Sequence, residues 1–106
     1  MKRIGRTVKV LETSAVNPRN GESSFLRLKD GSIMLVYSRF GGEGGNHDTS
    51  RLVRMISRDE GESWSEPKEL FLDDLDCRNN MSGALVRLPN GEIGICYLRK
   101  SDELEA

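Results

Sequence analysis

A small set of polar side chains in this chain could do chemistry. Carboxyl groups on mobile loops can donate or accept a proton, and planar guanidinium groups can hold a carboxylate through two parallel hydrogen bonds. A glycine-rich loop between two β-prone runs carries a carboxyl group and the single histidine of the chain. The candidates are Arg19, Arg39, His47, Asp48, Arg78 and Asn80. Each also has a plain alternative, as a solvated loop residue or a charged strand end.

The composition limits the class of protein. The chain has 106 residues, of which 36% are apolar, and this suits one small domain. Lys and Arg number 16 and Asp and Glu number 17, so the net charge is -1 and no global field attracts nucleic acid. No run reaches membrane-spanning length, and the basic N-terminus lacks the apolar stretch of a signal peptide. We therefore expect a cytoplasmic protein without nucleic-acid or membrane partners.

Cysteine and acidic residues give no metal motif. Cys77 and Cys96 form no C-x-x-C pair and are not at metal-ligand spacing from His47. Cys96 lies in an apolar run and is expected to be a small buried residue. The acidic string 73–76 lacks the alternating spacing of a calcium loop and is expected to form a solvated turn. No metal and no cofactor is expected.

The chain repeats itself after 60 residues. Residues 23–39 and 83–99 share six identities in 17 pairs, which indicates an internal repeat. Each copy has two β-prone runs around Asp30-Gly31 or Asn90-Gly91, a strong signal for a β-hairpin. The strands predicted in the first copy are Ser23 to Leu28, Ser32 to Arg39, Arg51 to Ser57 and Lys68 to Leu72. Such strands predict an all-β fold of antiparallel meander sheets that stack to cover their faces.

The octet from Ser57 to Trp64 fits the Asp-box pattern S-x-D-x-G-x-[ST]-W at every specified position. In a hairpin turn, the Ser57 hydroxyl and the Asp59 carboxylate can accept backbone N–H bonds. Gly61 can supply a positive φ, and Trp64 can anchor the turn in the core. The motif therefore predicts a structural turn rather than a reactive site.

From Arg19 to Ala106 the chain resembles the sialidase (neuraminidase) family of six-bladed β-propellers with bacterial neuraminidase repeats. The resemblance rests on the Asp-box and the strand pair before it. It implies a first four-stranded blade at about 19–75, the start of a second at about 78–106, and a possible closing strand at 6–12. A second Asp-box is then expected near position 117, so the chain corresponds to the amino-terminal part of such a propeller.

The resemblance also implies a function, the hydrolysis of terminal sialic acid or a related sugar. Asp48 occupies the place of the family's acid/base aspartate. Arg19 and Arg39 are the candidates for holding the sugar carboxylate, although Arg19 lies about two positions before the place of the family's Arg-Ile-Pro signature. The other implied contacts to the carbohydrate are His47, Arg78 and Asn80.

Tyr37 and Tyr97 occupy equivalent positions inside apolar strands and are not candidates for the family's tyrosine nucleophile. The chain alone is therefore expected to be inactive.

Two other interpretations stay open. Asp-boxes also occur in proteins without enzymatic activity, so the chain could belong to a non-catalytic propeller that binds glycans or proteins. Alternatively, a two-blade chain has exposed sheet edges, through which three copies could close one ring as a homo-oligomer.

Overall fold

A computed structural model describes residues 5–45, 48–70 and 79–100, with only the backbone of Lys100. Within these ranges the chain is all-β, as predicted, and contains no helix and hence none that could cross a membrane. One mostly antiparallel sheet holds all six strands. These are β1 (Arg19–Arg27), β2 (Ile33–Phe40), β3 (Ser50–Ser57), β4 (Lys68–Glu69), β5 (Asn79–Arg87) and β6 (Ile93–Lys100).

The strands follow two connected patterns. β1, β2, β3 and β4 pair with their sequence neighbours as an antiparallel meander, and β5 and β6 form a second hairpin. The two parts share one parallel bridge between Ser50 and Asn79, which gives the order β1-β2-β3-β5-β6 with β4 beside β3. β5 also packs across the face of β1 and β2.

The hairpin turns repeat at the predicted spacing. The Leu28 N–H donates to the Ser32 carbonyl at 2.7 Å, and the Gly31 N–H donates to the Leu28 carbonyl at 3.0 Å. The residues 60 positions later make the same two bonds at 2.8 and 2.9 Å. Gly31 and Gly91 both have φ +89°, a left-handed conformation that glycine adopts without steric cost. The internal repeat is therefore a repeat of local structure as well as of sequence.

Alternation along β2 and β3 produces two buried faces. On the first face an apolar cluster of Leu35, Tyr37, Val53 and Met55 packs with Leu11 and Trp64. The second face buries Val36, Phe40 and Leu52. β5 lies on this second face, where the hydroxyls of Ser24 and Ser38 each accept a backbone N–H of β5 at 3.0 Å. These hydroxyls satisfy polar groups that the face-to-face packing would otherwise bury unpaired.

The segment 6–12, predicted as a possible closing strand, is not in a strand in this structure, since none lies between residues 5 and 18. Its pairing with a last blade stays a prediction. The segment makes no ladder with a neighbouring strand. Instead, Leu11 packs on the first buried face, and its carbonyl accepts a hydrogen bond from Asn20 Nδ2 at 3.2 Å.

Two smaller expectations also change. Cys96 is exposed rather than buried. Its neighbour Ile95 points to the opposite face of β6, where it lies beside Gly83 of β5 and near Leu52 of β3. The predicted fourth strand is shorter, Lys68–Glu69, and its expected end at 71–72 falls outside the described residues, as does Cys77.

Candidate functional site

The candidate residues lie at one end of the sheet. β1, β3 and β5 begin at this end, and β2 and β6 finish there, so we name it the loop end after the loop 41–49 that joins β2 to β3. The opposite end, which we name the turn end, carries the two hairpin turns and the Asp-box. Of the predicted site residues, Arg19, Arg39, Asp48 and Asn80 are described at the loop end, whereas His47 and Arg78 fall outside the described residues.

The loop 41–49 is closed by its own backbone. The Gly41 N–H donates to the Thr49 carbonyl at 2.9 Å, and the Gly44 N–H donates to the Gly41 carbonyl at 3.0 Å. Gly42 and Gly44 have φ of +58° and +84°, which a residue with a side chain rarely adopts. The glycines expected to make this loop mobile thus also shape a defined turn.

The Asp48 carboxylate lies inside this turn. Its Oδ2 atom accepts the Gly45 N–H at 2.8 Å and the Glu43 N–H at 3.2 Å. A Cβ atom added to Gly42 would lie only 2.8 Å from Oδ1. Asp48 therefore holds the loop together through Oδ2, while Oδ1 accepts no hydrogen bond from the described residues.

Arg19 braces the same loop from β1. Its Nη1 atom donates to the Gly44 carbonyl at 3.1 Å, and its guanidinium carbon lies 4.3 Å from the centroid of the Phe40 ring. Stacking on an aromatic ring stabilises a guanidinium by about 0.5–1 kcal/mol at a partly exposed position. The geometry fixes the direction of the Arg19 side chain.

Arg39 lies on the other side of the strand from Phe40, because neighbouring residues of β2 point to opposite faces. Arg19 and Arg39 are therefore on different faces of the sheet. The structure does not bring the two predicted clamp arginines together.

The side chain beside Arg39 is Arg51, its directly opposite partner on β3. Both line a cavity of about 390 Å³ whose wall includes Gly41 and Thr49, the base of the Asp48 loop. Arg51 Nε lies 3.5 Å from Glu69 Oε1, while Arg39 forms no ion pair with the described residues. Sequence reasoning missed Arg51, because its partnership with Arg39 depends on the register of β2 and β3.

The second repeat contributes two asparagines at the start of β5. Asn80 is 4% exposed, and its carbonyl accepts the Ser50 hydroxyl at 2.8 Å. Asn79 is fully buried, and its Nδ2 atom donates to the Asp48 carbonyl at 2.6 Å. Asn79 thereby connects the second hairpin to the candidate loop. The alignment of the two repeats could have identified Asn79. It pairs this residue with Arg19, because each begins the equivalent strand of its repeat.

The Asp-box forms the predicted turn at the other end. The Ser57 hydroxyl accepts the Gly61 N–H at 2.8 Å, and Asp59 Oδ1 accepts the Ser63 N–H at 2.8 Å. Gly61 has φ +89°, and the Trp64 indole N–H donates to its carbonyl at 3.0 Å. All four motif residues thus act within the turn, and none approaches the loop end.

Two pKa values follow from these surroundings. Hydrogen bonds from the Ser63 hydroxyl and backbone N–H hold the pKa of Asp59 below its usual value, with a smaller contribution from Ser57. Burial raises the pKa of Tyr37, a 4% exposed residue of the first buried face. A raised pKa does not make Tyr37 a nucleophile, which agrees with the place of this residue inside the core.

Comparison with known proteins adds no relative. No protein-family model matches the chain, and no curated protein or solved structure is significantly similar to it. The geometry of the loop end and the sequence pattern therefore carry the functional argument.

Proposed function

We propose that this chain is part of a sialidase-like β-propeller that hydrolyses a terminal acidic sugar, with the loop 41–49 at its substrate site. The observation that carries the proposal is the position of Asp48. It lies on a loop braced by Arg19 from β1 and by Asn79 from β5, at the end of the sheet opposite the Asp-box. A propeller arranges equivalent sheets around an axis. The packing of β5, from the second repeat, across β1 and β2 of the first supports this part of the proposal.

In this proposal Asp48 transfers protons, and Arg39 and Arg51 bind the substrate. Asp48 donates a proton to the oxygen of the leaving group through Oδ1, the oxygen that the loop amides do not bind, and then accepts a proton from water. Arg39, with Arg51 beside it, attracts the sugar carboxylate into the cavity of about 390 Å³. The nucleophile must come from outside the described residues.

Substituting Asp48→Asn tests the proposal. The amide keeps one oxygen to accept the loop N–H groups but cannot transfer the proton. In a protein that carries this chain and hydrolyses a fluorogenic sialoside, we expect kcat to fall about 10²–10⁴-fold, the usual contribution of general acid–base catalysis. Arg39→Gln is the matched variant for binding and should mainly raise KM. Unchanged turnover in Asp48→Asn would refute the acid/base role.

A second candidate function is glycan binding without catalysis. It is favoured by the hydrogen bonds that tie the Asp48 carboxylate to its own loop and by the separation of Arg19 from Arg39. In that case a glycan array would show binding to acidic sugars, and Asp48→Asn would leave this binding unchanged. Detectable turnover of any bound glycan would exclude this alternative.

A further inference from the structure

A second cavity, of about 530 Å³, lies at the turn end and is lined by three cationic side chains. Arg54 comes from β3, Arg58 directly follows the end of β3, and Lys68 comes from β4. Ile56 and Trp64 form the apolar part of the wall. This cavity is separate from the Asp48 loop and does not depend on the proposed hydrolysis.

The charges in this cavity are poorly compensated. Arg54 and Lys68 are directly opposite partners on β3 and β4, a placement in which like charges repel. Neither forms an ion pair with the described residues. Arg58 pairs with Asp30 at 3.3 Å, but both side chains are largely exposed, and such pairs stabilise little. The wall itself contributes no carboxylate.

The hydroxyl of Ser65 completes the lining. Ser65 accepts the Ile56 N–H through its oxygen at 2.9 Å, and its O–H donates to no described residue, so it is available as a donor. A carboxylate has two acceptor oxygens, whereas a tetrahedral oxyanion has three or four and carries up to two negative charges. Three separated cations and a hydroxyl match the tetrahedral group better.

We propose that this cavity binds a sulfate or phosphate group, either as the free ion or as part of a saccharide that rests against Trp64. Bound oxyanion relieves the repulsion between Arg54 and Lys68 and bridges the two strands through charge-assisted hydrogen bonds. The site is thus also a point at which an anion stabilises the weakly paired strand β4, which is two residues long.

Thermal unfolding in sodium sulfate, sodium phosphate or sodium chloride at equal ionic strength tests the site. We expect sulfate or phosphate to raise the midpoint and chloride to leave it unchanged. Lys68→Glu places a carboxylate opposite Arg54, so this variant should unfold at a higher temperature without sulfate and lose its response to sulfate. Lys29→Gln removes an exposed cation elsewhere and is the control, with the full response.

Calorimetric titration then identifies the source of the group. Arg54→Gln should weaken binding of sulfate by about tenfold, the loss expected for one charge-assisted hydrogen bond. A sulfated disaccharide that binds tenfold more tightly than inorganic sulfate indicates a saccharide ligand, and equal affinities indicate the free ion. If sulfate and chloride act alike on the wild type, or if Lys68→Glu keeps the full sulfate response, the site does not exist.

Discussion

Removing the Ser57 hydroxyl tests whether the Asp-box stabilises the fold through the hydrogen bonds seen in its turn. Ser57 is 1% exposed, and its hydroxyl accepts the Gly61 N–H at 2.8 Å and donates to Asp59 Oδ1 at 3.0 Å. Ser57→Ala deletes both bonds and leaves the Gly61 N–H without its acceptor. At about 1 kcal/mol for each bond, the free energy of unfolding should fall by roughly 2 kcal/mol.

That loss is measurable by thermal unfolding. For a domain of this size, 1 kcal/mol shifts the midpoint by about 4 °C, so Ser57→Ala should unfold roughly 8 °C below the wild type. Trp64 is the only tryptophan of the chain, and its indole belongs to the same turn, so its fluorescence reports the turn while circular dichroism reports the whole sheet. We expect the fluorescence transition to precede the dichroism transition in the variant.

Ser23→Ala is the matched control, because Ser23 is an exposed β1 residue that makes no side-chain hydrogen bond with the described residues. This variant should change the unfolding free energy by no more than about 0.5 kcal/mol. If Ser57→Ala is no more destabilising than Ser23→Ala, the hydrogen bonds of the turn contribute no net stability, and the structural interpretation of the Asp-box is wrong.

Three further predictions concern single groups. Gly42→Ala should lower the free energy of unfolding in urea more than Gly31→Ala does. Both glycines have a positive φ, but only at Gly42 would the added Cβ lie 2.8 Å from Asp48 Oδ1. Equal losses in the two variants would contradict the packing of Asp48 inside the loop. Stability should fall as pH decreases below about 4, because the pKa of Asp59 is lower in the folded than in the unfolded state and the stabilisation is lost on protonation. Asp59→Asn should therefore flatten the acid limb of the pH profile, and an unchanged limb would exclude this residue as a cause. Trp64→Phe keeps an apolar ring but loses the indole N–H donor of the turn, so calorimetry should show a loss of about 1–2 kcal/mol; an unaltered midpoint would show that only the ring matters.

The hairpins and the Asp-box turn could be predicted because each is decided by residues close in sequence. A glycine at φ +89° after Asp30 or Asn90 sets the hairpin, and side-chain oxygens two to four residues away cap the turn at Ser57 and Asp59. The repeat of 60 residues then predicts the second hairpin from the first. Local hydrogen bonding is thus sufficient to explain why these elements agree with the sequence analysis.

The candidate site could be predicted only in part. The sequence places Arg19, Arg39 and Asp48 near strand ends, and the structure puts all three at the loop end. The separation of the arginines onto two faces, and the partnership of Arg39 with Arg51, follow from strand register, which short patterns do not specify. The capture of the Asp48 carboxylate by loop amides depends likewise on the conformations of Gly42 and Gly44.

By itself the sequence determined the strand pairs, their turns and the 60-residue spacing, since these depend on alternation, glycine and short-range hydrogen bonds. Only the tertiary structure decided that the segment 6–12 joins no ladder, with Leu11 alone packed on the core, and that Cys96 faces outward. It also brought Asn79 to the Asp48 carbonyl across 31 residues of sequence. The physical reason is that such contacts depend on which sheet faces meet, and this is settled by packing between elements that are distant in the chain.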